Sequence, residues 1–148
     1  MLCFTCHNVV EKEHPNLVYI DDTIVVNHHI DGSEDSSEPR PGWFLVSPRR
    51  CVTRLHELNT DEHVALLAAV SLIDRVLTNE FGATRTLTAS LGVNVSDHIH
   101  FHVVPTFDPP GTPTAKWKMF QGHKEEIYRP APCPPQEALQ ILRAAFSS

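Results

Sequence analysis

Apolar residues recur along this chain with two different periods, and the switches between them mark its elements. Leu17-Val18-Tyr19-Ile20 and Thr23-Ile24-Val25-Val26-Asn27 are short apolar and β-branched runs separated by Asp21-Asp22, which reads as two strands joined by a tight turn. Trp43-Phe44-Leu45-Val46-Ser47 reads as a third strand, stopped by Pro48, whose missing N–H cannot extend a ladder. The period then lengthens. Val64, Leu67, Val70, Ile73 and Leu77, together with Leu66, recur at helical spacing behind Asn59. Asn59 can cap that helix with Glu62 at the capping-box position, and Gly82 ends it. Thr84 to Ala89 and His98 to Val104 read as two further strands, joined around Leu91-Gly92-Val93-Asn94 and closed by Pro105. From Pro135, the residues Ala138, Leu139, Ile141, Leu142 and Phe146 outline a short terminal helix. Residues 31–42 collect acids, serines, glycines and prolines that cannot bury a face, which predicts an exposed loop.

Composition narrows the function. A chain of 148 residues has room for one domain with its own core. Eighteen acidic against twelve basic residues give a formal charge of -6, the wrong sign for wrapping a phosphate backbone, so no nucleic-acid partner is expected. Local phosphate binding stays open. No apolar run reaches membrane-spanning length, and Met1 to His7 lacks the basic and apolar regions of an export signal. No membrane association and a cytoplasmic location are the expectations.

Cysteine and histidine bring in chemistry. Cys3-x-x-Cys6 suits either zinc or a redox dithiol, but no strand precedes it as a thioredoxin-like motif requires, which favours zinc. A closed tetrahedral site then needs two more ligands. Three of the ten histidines, His98, His100 and His102, alternate with Ile99 and Phe101. Strand residues two apart share a face, so the imidazoles form a row spaced ~6.6 Å apart while Ile99, Phe101 and Val103 face the core. Imidazoles titrate near neutrality, and a row of them suits an anionic substrate. Metal ligation and nucleophilic attack by one imidazole both remain open, with a merely solvated polar face as the bland alternative.

His98-Ile99-His100-Phe101-His102-Val103-Val104-Pro105 resembles the H-φ-H-φ-H-φ-φ signature of the histidine triad (HIT) superfamily and its following proline. Cys3-Phe4-Thr5-Cys6 resembles the start of many members, and Gly42-Trp43-Phe44-Leu45-Val46-Ser47-Pro48-Arg49-Arg50 resembles their GH-x-LVIPK segment. Leu55 to Glu62 resembles the link and helix start behind it, so the resemblance runs over about residues 1–105.

The resemblance implies an α+β fold, an antiparallel sheet of about five strands with one long helix packed against it, to which the apolar pattern after Pro135 adds a short C-terminal helix. Residues 1–105 would form the HIT-like domain, with 106–148 a proline-rich extension packed on it, and two chains would pair as a homodimer. The implied function is a nucleotide hydrolase or nucleotidyltransferase, of phosphoramidase or dinucleoside polyphosphate hydrolase type, acting at the α-phosphate through a nucleotidyl-histidine. His100 would be the nucleophile and His102 would contact the phosphate or leaving group. Structural zinc would be held by Cys3, Cys6, Cys51 and His98, with His7 and His56 as alternative ligands. Asn94 falls at the family's glutamine position in the phosphate loop, with Ser96 beside it, and His29 or Asp31 stands for the ribose-binding aspartate. Thr106 replaces an arginine that often follows the motif. Trp43, Trp117 and Phe120 could line a base pocket. Two other readings follow from the same residues: a metal-dependent enzyme ligated by His98, His100 and His102, and a degenerate HIT domain recruited to binding or other chemistry.

Overall fold

The structure, a computed structural model, describes residues 15–28, 42–90, 98–107, 109 and 135–148. Asp21 builds the first hairpin. Its Oδ1 accepts from the backbone N–H of Thr23 and of Ile24, at 2.7 and 2.8 Å, an Asx-type turn that reverses the chain between β1 (Leu17–Ile20) and β2 (Ile24–His28). Strand β3 (Phe44–Pro48) returns antiparallel to β2, with Val26 opposite Val46 and His28 opposite Phe44. After a 3₁₀ turn at Leu55–Glu57 comes the long helix α1 (Thr60–Phe81). Asn59 Oδ1 accepts from the Glu62 N–H while Glu62 Oε2 accepts from the Asn59 N–H, the reciprocal cap that the sequence predicts. Gly82 ends the helix at φ +70°, where a residue without Cβ carries no penalty. Strands β4 (Arg85–Ala89) and β5 (Phe101–Thr106) follow, and α2 (Pro135–Ser147) ends the chain.

The sheet is antiparallel with strand order β1-β2-β3-β5-β4, so β5 is inserted between its chain neighbour β4 and β3. Alternation along the strands puts Ile24, Val26, Phe44, Val46 and Val103 on one face, where Leu66, Ala69, Ile73, Leu77 and Phe81 of α1 cover them. Helix α2 adds Ala138, Leu139 and Leu142 to the same core. It is tied to β1 by the Arg143 guanidinium, which donates to the carbonyls of Leu17 and Pro15 at 2.8 and 2.9 Å, and by Phe146 stacked on Tyr19 at 5.0 Å. Among the described residues no helix is long and apolar enough to cross a membrane.

The α+β architecture, its five strands and its two helices are those expected. Three details differ. Val64 and Leu67, part of the apolar series at helical spacing, are each 64% exposed. Steps of three fall short of a full turn by about 60° each, so the 64-67-70-73 series winds out of the buried stripe, which runs through Leu66, Ala69, Ile73, Val76 and Leu77. Pro48 is the last residue of β3 and not the stop beyond it. Strand β5 begins at Phe101 rather than His98 and runs through Pro105 to Thr106. The carbonyl of Thr106 faces β4, accepting from Thr84, so the backbone of Pro105 faces the β3 side. There β3 pairs no further than Phe44 opposite Val103, and the absent N–H breaks no ladder bond.

Candidate active site

The last residues before β5 and the strand itself carry the three histidines into different surroundings. His98 and His100 precede the strand because the chain there is held by the loop after β3, with the Ile99 N–H donating to the Val52 carbonyl at 2.7 Å. Ile99 and Val103 enter the core as expected. His98 is not part of a solvated row: it is fully buried, with Nε2 at 2.8 Å from the Pro48 carbonyl. Burial holds its imidazole below the usual histidine pKa, the adjacent His100 adds to the shift, and the Pro48 carbonyl opposes both. His102 lies within β5 between Leu45 of β3 and Ala89 of β4, on the sheet face away from α1. His100 is half-buried beside it, the two rings set edge to face with centroids 4.9 Å apart.

Hydrogen-bond directions assign the protons. A carbonyl only accepts, so His100 Nδ1, 2.9 Å from the His98 carbonyl, carries a hydrogen. An indole N–H only donates, so His102 Nδ1, 3.0 Å from Trp43 Nε1 in a buried contact, carries a lone pair. A neutral His102 then holds its hydrogen on Nε2 and donates it across 3.2 Å to His100 Nε2. The chain Trp43, His102, His100, His98 carbonyl therefore runs one way, and the ring's one lone pair sits on His100 Nε2, where it accepts the His102 hydrogen. Strand alternation explains why Trp43 takes part. Phe44 and Val46 enter the core, which turns Trp43 and Leu45 to the face that carries His102. Gly42 at φ +87° sets the entry, its N–H donating to Nε2 of the buried His28 at 3.2 Å.

Trp43, offered by the sequence as a base-pocket aromatic, is buried with its indole N–H on His102, a contact the sequence reading did not foresee. The signal was its position, where the GH-x-LVIPK segment carries histidine. His98, His100 and His102 are not gathered around a common point: two rings face each other through Nε2, one is held by an indole, and the third turns to Pro48. Among the described residues no group of three or more His, Cys, Asp or Glu is placed to hold a metal. Cys51 and His56 are exposed, while Cys3, Cys6 and His7 lie outside the described residues. So do Asn94, Ser96, His29, Asp31, Trp117 and Phe120. Thr106 is buried and donates through Oγ1 to the Arg85 carbonyl at 3.1 Å, a sheet contact.

For structural zinc, the donor chemistry at His98 fits. Its Nε2 hydrogen is spent on a backbone carbonyl, as in most metal-ligating histidines, which puts the ring's lone pair on Nδ1, and burial favours the neutral ring. The Ile99 to Val52 hydrogen bond holds this segment beside the one that carries Cys51.

A five-stranded antiparallel sheet with one long covering helix, and a pair of Nε2-to-Nε2 histidines on its far face, defines an α+β protein built around an imidazole centre. The chain belongs to the histidine triad group: the HIT domain profile matches residues 11–108. Solved structures agree in fold. A Zn-bound histidine triad family protein from Mycobacterium smegmatis superposes with a TM-score of 0.64 at 20% identity, covering 98% of this chain and 93% of that one. A Hit-like protein involved in cell-cycle regulation from Bartonella henselae gives 0.65 at 20% identity, over 97% and 95% of the two chains. A hypothetical histidine triad nucleotide-binding protein from Sulfolobus tokodaii gives 0.65 at 18% identity, over 98% and 92%. Among curated proteins none matches this sequence.

Proposed function

We propose that this chain is a HIT-type nucleotide hydrolase or nucleotidyltransferase, with His100 Nε2 as the nucleophile at the α-phosphorus. The observation that carries the reading is the His100 Nδ1 hydrogen bond to the His98 carbonyl, which fixes the tautomer and puts the lone pair on Nε2. Attack forms a P–N bond as the bond from phosphorus to the leaving group breaks. An acceptor then attacks the nucleotidyl-histidine and the electron pair of the P–N bond returns to Nε2. As His100 Nε2 turns its lone pair to phosphorus, the hydrogen that His102 Nε2 shares with it is released to a phosphoryl oxygen. Asn94, Ser96 and His29 are the proposed contacts to phosphate and ribose. Cys3, Cys6, Cys51 and His98 would hold one zinc ion, which would supply a cross-link between the N-terminal segment and the segment that carries His100 into β5, and no reaction step. The reading includes a homodimer.

Intact-protein mass spectrometry of wild type and His100→Ala, after incubation with diadenosine tetraphosphate or adenosine phosphoramidate, tests it. A nucleotidyl adduct or product release in wild type that vanishes in His100→Ala is the expected result. Absence of both from wild type with either donor sinks the enzyme reading in favour of a binding domain.

A further inference from the structure

We propose that Asn27 reads the base of the transferred nucleotide, pairing through its side-chain carboxamide with a base edge that sets a hydrogen-bond donor beside an acceptor. This rests on the reading of His100 as nucleophile and adds where the nucleoside lies and what selects it.

Leu17 of β1, Asn27 of β2, Leu45 of β3, His102 of β5 and Ala89 of β4 are register partners in turn, one line across all five strands. Alternation sets the line on the sheet face away from α1, because Val26, Phe44 and Val103, next to it along the chain, turn into the core. The rows on either side are closed: Val25 and Ser47 on one flank, and Trp43 and Val104 on the other, are at most 3% exposed. Leu17, Asn27 and Leu45 are half-buried, so this line keeps surface for a ligand. It leads to the nucleophile, since His102 Nε2 lies 3.2 Å from His100 Nε2.

Strand spacing sets the scale. Neighbouring strands lie about 4.8 Å apart, so Leu45 stands about 5 Å and Asn27 about 10 Å from His102 along the line. A nucleoside monophosphate has that span: with its α-phosphorus at His100, the sugar lies over Leu45 and the base edge reaches Asn27. Towards β4 the line ends one strand away at Ala89, on the edge of the sheet, which is too short for a nucleoside. Asn27 is the one polar side chain on the line apart from His102, and among the described residues its carboxamide has no hydrogen-bond partner.

A base laid on that carboxamide removes it from water, so a base with no matching groups leaves its N–H and C=O unpaired at a cost, while a matching base does not. The carboxamide offers one donor face and one acceptor and can turn over. It therefore matches the 6-amino group and adjacent ring nitrogen of adenine, or the oxo group and adjacent ring N–H of guanine. A purine without an exocyclic substituent leaves half of it unpaired. A carboxylate in its place only accepts, which suits the ring N–H and 2-amino group of guanine and opposes the ring lone pair of adenine.

The test measures kcat/KM for the 5′-phosphoramidates of adenosine, guanosine and purine riboside in wild type, Asn27→Ala and Asn27→Asp, with the adduct at His100 followed by mass spectrometry. Wild type should prefer the adenosine donor to the purine riboside donor by about tenfold, the worth of one hydrogen bond in a desolvated site. Asn27→Ala should treat those two donors alike. Asn27→Asp should raise the ratio of guanosine to adenosine turnover by about tenfold or more, a change of preference that a merely packed asparagine would not produce. Wild type turning over the adenosine and purine riboside donors equally overturns the proposal without recourse to any variant. So does Asn27→Ala keeping the wild-type preference, and either result leaves the nucleophile reading standing if the His100 adduct forms. No adduct from any donor removes both.

Discussion

Glu62 ties the first turn of α1 to the loop before it. Its carboxylate takes a bidentate pair from Arg50, Nε to Oε1 at 2.9 Å and Nη2 to Oε2 at 2.8 Å, while it also caps Asn59. The Arg50 guanidinium holds its pKa below the ordinary 4.5, with burial opposing. The unfolded chain therefore takes up this proton before the folded one, so the contribution is complete above about pH 4.5 and is lost as pH falls through the lower folded pKa. Urea midpoints measured from pH 7 to 3 should fall in that acid window, and Glu62→Gln should start lower at pH 7 and fall less steeply below it. An unchanged slope in the variant would refute the assignment. Removing the other half of the cap, Asn59→Ala, should lower stability by about 1 kcal/mol in the same assay. Gly82→Ala isolates backbone strain, because a Cβ there meets nothing within 4 Å, and at φ +70° it should cost roughly 1–2 kcal/mol. All three residues were legible from sequence, since cap chemistry is settled within a single turn of chain.

Helix α2 is the element whose energetics depend most on distant chain. Leu142 is fully buried and shares its core with residues of β1 and α1, so Leu142→Ala should cost about 2–5 kcal/mol in equilibrium unfolding. A loss well under 1 kcal/mol would mean that α2 frays from the sheet in solution. The strands were readable from β-branched runs and turn acids, but their ends were not. His98 carries the same alternation as His102, yet the Ile99 to Val52 backbone hydrogen bond, with the His98 ring on the Pro48 carbonyl, draws it out of the sheet and into the core. Nothing within seven residues of His98 encodes that partner. The same limit applies to Val64 and Leu67, which match a helical spacing while the buried stripe follows a different set.

Across the whole molecule the histidine motif was legible and its proton arrangement was not, because Trp43 and His102 are 59 residues apart and meet only through sheet topology. The zinc reading belongs at this scale too. Native mass spectrometry should give one zinc per chain, with Cys51→Ser lowering the content and chelation lowering the thermal midpoint; full retention of both would dismiss Cys51 as a ligand. The insertion of β5 between β3 and β4 bears on the order in which the chain assembles. Strands β1, β2 and β3 and the helix α1 close short loops, whereas β5 must find β3 across more than half of the domain, the slowest kind of pairing to form. That late pairing is the one that delivers His102 to Trp43. During refolding from urea, helical circular dichroism should recover first and nucleotide chemistry should lag behind it. A partly folded chain, already helical and compact, would be catalytically silent until its last strand is in register.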